Sequence, residues 1–323
     1  MQMHCSQKII WLLLLFQLGT SQEKVSSKWL LDTPICTGLG DRLGYIVSLS
    51  ALARLNGNST VLMEWCEDGQ RASLSNPLHL AYIPKWTGWK YPLHTVLEHI
   101  TFPRNVDFFP DGRPPAIPYK LVTSNHQAPA IEGIPATSTL YWKALKFADG
   151  EWSYEDYRQA YLEAGKEITS KTLKHKEKPY VLVHVRCPDH NTHQRDERSF
   201  CTRKVIRRLH AAGVDVRVIS NNSTLTARWL EGLHNVHILE QGTAWVDMRL
   251  VLEAAAIVQH ASEGWSSYTS VPAMAKEIPL INTYKGMHHR YSFFLQYGDL
   301  PPEFYSCKQI RNFVRVAVNL TKR

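Results

Sequence analysis

The run Tyr180-Val181-Leu182-Val183-His184-Val185, followed at once by Arg186-Cys187-Pro188-Asp189, decides the fold. Five of its six residues are apolar or aromatic and three are β-branched valines. Such a run, too short for a helix and lacking polar alternation, predicts a strand buried on both faces, as in parallel sheets. Downstream, a basic helix is expected over Thr202–His210, closed by Gly213, and a strand over Val214–Ile219. A helix from about Leu225 to Gly232 and a strand over Val236–Leu239 come next. The pattern then predicts a helix over Trp245–Val258, another over Ser266–Lys276, and a strand over Ile278–Ile281. Strands alternating with helices imply a mostly parallel, doubly wound sheet, so residues 179–323 read as one Rossmann-like domain.

Upstream, Trp29-Leu30-Leu31 leads to the glycine pair Gly38 and Gly40. Leu43, Ile46, Val47, Leu49 and Leu52 then recur with helical spacing, and Asn56-Gly57-Asn58 stops that helix. Val61–Trp65 follows as a strand, completing a strand–turn–helix–strand unit. Residues 29–170 therefore read as an N-terminal, acceptor-side α/β domain. Inside it, residues 68–150 are rich in Pro, Gly, Trp and Tyr, which predicts irregular structure. Residues 152–173 read as a helix, and Lys171–Lys178 as a solvated linker ending at Pro179.

A chain of 323 residues with 44% apolar content has room for two such domains and their cores. The formal charge of +8 favours anionic partners such as nucleotides and phosphates. Basic residues read as spread along the chain, which argues against a nucleic-acid binder. Residues 1–21 hold Lys8, the apolar run Ile9–Phe16 and the small residues Gly19-Thr20-Ser21. That is the pattern of a secretory signal peptide, or of an uncleaved anchor, and predicts entry into the ER and Golgi lumen or secretion. In that oxidising setting five cysteines remain beyond the signal. Cys36 with Cys66, and Cys187 with Cys201, bracket local segments and are candidate pairs, leaving Cys307 free. Zinc-type Cys/His spacing is missing, so no structural metal is expected. Sequons stand at Asn58, Asn221, Asn222 and Asn319.

In doubly wound sheets ligands bind beyond the carboxyl ends of strands, beside helix N-termini. His184 and Arg186 share one face at the end of their strand. There Arg186 either grips a diphosphate bidentately or pairs with Asp189. His184 on a buried strand reads first as a satisfied core histidine and second as a ligand contact. Ser266 and Ser267 open a helix and suit either an anion cradle or ordinary capping. Gly38 and Gly40 allow close backbone approach, with Asp41 and Arg42 facing a cleft or capping the helix.

Gly38-Leu39-Gly40-Asp41-Arg42-Leu43 resembles the Gly-Leu-Gly-Asn-Gln-Leu opening of α1,2-fucosyltransferases. His184-Val185-Arg186 resembles their His-x-Arg segment, shared with α1,6- and protein O-fucosyltransferases. Ser220-Asn221-Asn222, Asp247-Met248 and Ser266-Ser267-Tyr268 follow in the same order as three further family segments. The resemblance implies a GT-B-like fold, two Rossmann-like domains facing a cleft. It implies inverting transfer of fucose from GDP-fucose to a glycan or glycoprotein hydroxyl, with no cofactor and no required metal. Arg186 would be the catalytic contact to the donor diphosphate, with Asp41, then Asp189, as candidate bases. Gly38, Gly40, Arg42, His184, Asn222, Asp247, Ser266 and Ser267 would line the donor. Cys187 stands where the family carries a second arginine, and Asn221-Asn222 where it carries an acidic residue. A different nucleotide sugar, or a glycan-binding protein without catalysis, therefore remain alternatives.

Overall fold

In the computed structural model the described residues are 28–31, 38–55, 57, 59–65, 92–109, 120–122, 154–171, 178–186, 199–233, 236–239, 242–261, 266–283 and 304–322. The first half runs β1 (Lys28–Leu31), α1 (Leu39–Leu55), β2 (Thr60–Glu64), α2 (Leu93–His99), β3 (Ile100–Thr101), β4 (Val106–Phe109), β5 (Lys120–Val122), α3 (Tyr154–Glu167) and β6 (Thr169–Ser170). The second runs β7 (Val181–Arg186), α4 (Ser199–Ala211), β8 (Val216–Ser220), α5 (Ser223–Trp229), β9 (His237–Ile238), α6 (Ala244–Glu253), β10 (Ala256–Ala261), α7 (Ser267–Ala275), β11 (Leu280–Asn282), β12 (Phe304–Tyr305) and α8 (Ile310–Thr321).

Each half carries one parallel sheet, in the order β4-β2-β1-β5 and β12-β11-β10-β7-β8-β9. Numbered within its own half, the second sheet reads 3-2-1-4-5-6 from the β9 edge, the dinucleotide-fold order. The first repeats its beginning, 3-2-1-4. The order in which the chain adds strands reverses between β7 and β10, and again between β1 and β5. The turns are built as the sequence requires: Gly57 after α1 and Gly213 after α4 take φ of 80° and 74°, backbone that glycine adopts without a Cβ clash.

Two cores follow from the alternation along the strands. Val181, Val183, Val185, Val216, Val218 and Val258 point to one side, onto Val205, Ile206 and Leu209 of α4 and Phe313 and Ala317 of α8. Leu182, Ile219, Ile257 and Leu280 point to the other, where α6, α7, α3 and α1 complete one cluster shared by both halves.

Contacts along α3 fix the direction of the shared helices. A Cβ on Gly44, early in α1, would stand 3.4 Å from Val271 Cγ2, at the middle of α7. At the far end Arg54 of α1 pairs with Glu167 at 2.8 Å. Gly165, two residues before Glu167, abuts the Ala275 carbonyl at the end of α7, and Lys276 Nζ donates to Ile168 O at 2.8 Å. The early part of α1 meets the middle of α7 and their ends meet at the end of α3, so the two helices run the same way. Each follows a strand's carboxyl end, so the carboxyl edges of both sheets open on one side. This is the GT-B-like layout of two Rossmann-like halves.

Three expectations are corrected. The helix expected over Trp245–Val258 ends at Glu253, and Ala256–Ala261 is instead the central strand β10. Two alanines alone separate helix from strand, so an unbroken apolar run hid the boundary, and the β-branched Ile257 and Val258 belong to the strand. The interval 68–150 is not wholly irregular: β4 and β5 form both edges of the first sheet. Cys201 bonds Cys307, with Cα atoms 6.1 Å apart, so Cys201 does not pair with Cys187 and Cys307 is not free. The parallel topology sets the start of α4 beside the end of β12 across 106 residues of sequence. Residues 1–21, Cys36, Cys66, Cys187 and the Lys171–Lys178 linker beyond its two ends lie outside the described residues.

Candidate functional site

Arg186 is the last residue of β7, half-buried, and pairs in register with Ala261 at the end of β10. It thus stands at the reversal of strand order between β7 and β10, where open α/β sheets bind ligands. It points to the side of Leu182 and His184, toward α7.

The start of α7 forms the other wall. Ser266 sits at the N-cap position in extended backbone, φ −135° and ψ 113°, and is 2% exposed, but its hydroxyl makes no capping bond. What anchors the turn is Gln259 of β10: its Nε2 donates to Ser266 O at 2.9 Å and to Thr269 Oγ1 at 2.6 Å. Asn282 of β11 donates to Gln259 Oε1 at 2.9 Å, and Thr269 bonds His184 Nδ1 at 3.3 Å. A chain of buried polar groups therefore locks the helix start onto three strands, and the amides of its first turn receive no cap from Ser266. Ser267 is the first residue of α7 by its backbone.

His184 lies inside this lock. Burial first, then the charges of Arg186 and His260, depress its pKa to about 3. The ring is therefore neutral at neutral pH and lies tilted against Tyr268, centroids 5.5 Å apart.

Asp247 occupies the first turn of α6, its carboxylate against the backbone of Gly242. Tyr268 Oη donates to Ala244 O, joining this turn to α7. Burial pushes the Asp247 carboxyl up to about 6. Its folded pKa exceeds the unfolded value near 3.9, so the stability it supports is full below about pH 4 and falls as pH rises through 6. Asp247→Asn should therefore raise stability at pH 7.5 by about 1 kcal/mol, discounted for partial exposure, and by nothing at pH 4. Urea unfolding at the two pH values measures this; an equal gain at both would refute ionisation as the cause.

The remaining candidates are placed as follows. Gly38 precedes α1, and its carbonyl accepts from Arg42 N at 3.0 Å. Gly40 is buried in the first turn. Arg42 is fully buried, its guanidinium 4.8 Å over the Trp65 ring. Asn222 caps α5, its Oδ1 accepting from Leu225 N at 2.9 Å. Asp41 is placed by its backbone in the first turn of α1, and Asp189 lies outside the described residues. Sequence reading missed Gln259 and Asn282 of the lock and placed Tyr268 and Thr269 in the helix-start segment without giving them this role. A glutamine closing the apolar run Ala254–Val258 was the available signal for the first of them. Among the described residues no group of three or more His, Cys, Asp or Glu stands close enough to hold a metal ion, and no helix is long and apolar enough to cross a membrane.

No protein-family profile matches the chain, and no curated protein matches it. Solved structures do. The E. coli heptosyltransferase WaaC with ADP aligns over 90% of this chain and 99% of its own, at 11% identity and a TM-score of 0.46. NodZ, an α-1,6-fucosyltransferase soaked with GDP-fucose, aligns over 79% and 94%, at 13% identity and 0.44. A glycosyltransferase family 9 protein from Veillonella parvula aligns over 91% and 98%, at 8% identity and 0.43.

Proposed function

We propose that the chain is an inverting glycosyltransferase of the secretory-pathway lumen, taking a nucleotide-diphosphate sugar, GDP-fucose first, to a glycan or glycoprotein hydroxyl. The observation that carries this reading is Arg186 facing the start of α7 across the strand-order reversal of a 3-2-1-4-5-6 sheet. A guanidinium and a helix N-terminus there suit a diphosphate on two sides.

The transfer breaks the bond between the anomeric carbon and the diphosphate oxygen, and that oxygen keeps the electron pair. Arg186 and the α7 amides stabilise the growing negative charge, which a pre-set cationic site does without a metal. An acceptor hydroxyl attacks from the opposite face and gives its proton to a carboxylate. Asp41, on the first turn of α1, is the first candidate, since α1 and α7 start on the same side. Asp189 is the second. His184, neutral and bonded within the core, is a positioning residue.

A second reading, another nucleotide on the same site, is favoured by Asn222. Its side-chain oxygen is engaged by Leu225 N, and its neighbour is Asn221, so this segment offers guanine no carboxylate. Thermal-shift measurements with GDP, UDP and ADP separate the two. The fucosyl reading expects GDP to give the largest shift, about 2.7 kcal/mol at a hundredfold excess over its dissociation constant. A larger shift with ADP or UDP supports the second reading; none with any of the three removes the donor site.

A further inference from the structure

The outer face of the second half concentrates the charge of the whole chain. Helix α4 and the segment from Ser306 to Lys322 carry eight Lys and Arg and no Asp or Glu, four basic residues on each. The chain has 37 basic and 29 acidic residues, so everything else balances at 29 against 29. Basic residues recur elsewhere, as in Lys171–Lys178, but these two segments, neighbours in space, together match the whole net excess of eight. Both pack on the same face of the sheet, and the Cys201–Cys307 bond ties their starts together.

The exposed side chains of this face are polar. Arg207 on α4, and Lys308, Arg311, Arg315 and Lys322 along α8, are exposed, and among the described residues none of the five pairs with a carboxylate. The apolar stripe of α8, Ile310, Phe313 and Ala317, is turned inward. Arg208 in the last turn of α4 and Lys322 at the C-cap of α8 suit their helix dipoles, but others of the eight do not serve the helices that bear them. Arg311 and Arg315 repel at i,i+4 spacing, as do Arg203 and Arg207, and Lys308 and Arg311 oppose the dipole at the start of α8.

We propose that this face binds a linear acidic glycan, sulfated or carboxylated. Exposed basic residues extend from Lys308 to Lys322, a helical stripe of about 20 Å. Arginine forks match sulfate and carboxylate oxygens in pairs, and exposed Asn312 and Asn319 add neutral donors between them. A membrane is a poorer occupant because, among the described residues, the exposed side carries no large apolar side chain to insert. Nucleic acid is poorer because, among the described residues, no exposed aromatic ring interleaves the basic ones. The inference stands apart from the donor-site reading, since the face lies on the opposite side of the sheet from α7 and Arg186.

The test measures binding of the full chain to a size-fractionated heparin oligosaccharide in 0.15 M salt. The triple variant Arg207→Glu, Arg311→Glu, Arg315→Glu is compared with Lys166→Glu, Lys171→Glu, Lys178→Glu, which changes the net charge equally on exposed sites elsewhere. The first should lose affinity by an order of magnitude or more, roughly as polyelectrolyte contacts do, and the second less than about twofold. Thermal midpoints confirm that both remain folded. Equal losses in the two variants would reduce the effect to net charge and overturn the site. Tighter binding to phosphatidylserine vesicles or to a DNA duplex, lost in the first variant alone, would overturn the glycan assignment.

Discussion

Arg186→Ala is expected to cut donor turnover by about 10² to 10³-fold, the usual effect of deleting one group aimed at developing charge. The fold should survive. Arg186 ends its strand half-exposed; its removal takes away one influence that disfavours a protonated His184, but burial, the larger one, still keeps that core histidine neutral. Arg186→Lys should fall between, keeping the charge and losing the paired donors. The measurements are kcat and KM for the donor, with circular dichroism and the thermal midpoint as controls. A loss in kcat with KM nearly unchanged marks an interaction made in the transition state; a rise in KM alone marks simple grip on the diphosphate. Wild-type turnover in the alanine variant, with the fold intact, would remove Arg186 from the site and take the transferase reading with it.

How far the sequence could be read depended on the range of the forces involved. Strand β7 was legible because six consecutive residues report burial on both faces by themselves. Helix α1 and its Gly57 stop were legible for the same local reason. Strand β10 was not, because Ala254-Ala255-Ala256 favours a helix and only sheet pairing with β7 decides otherwise. The Cys201–Cys307 bond and the Gln259–Thr269–His184 lock depend on elements brought together by topology, which spacing does not encode. Arg186 and Ser266 were legible as a strand end and a helix start, and the structure puts them there. Ser266 also illustrates the limit. A serine before a helix reads as a cap, yet here its hydroxyl does not cap and Gln259 holds its carbonyl instead. Asn222, read as a donor contact, is a cap.

Gly165→Ala should be among the most damaging single-methyl changes, although alanine is the better helix former. A Cβ at this position would fall 2.1 Å from the Ala275 carbonyl oxygen and 2.8 Å from the Ala275 Cβ. Neither can swing aside as a side chain can. The backbone of α3 or α7 must move, and both belong to the core shared by the two halves. Overpacking against backbone sets the cost at about 3 kcal/mol, well above the gain of about 1 kcal/mol that alanine brings to a helix interior. Gly44→Ala is the matched control, since its Cβ would meet only Val271 Cγ2 at 3.4 Å, a side chain able to yield. There the helical gain and the tight contact nearly cancel, within about 0.5 kcal/mol. Urea unfolding of the two variants compares them directly. If Gly165→Ala unfolds at the wild-type midpoint, α3 and α7 are not in contact at their ends. The parallel course of α1 and α7 would then have no basis, and neither would a single crevice served by both sheets.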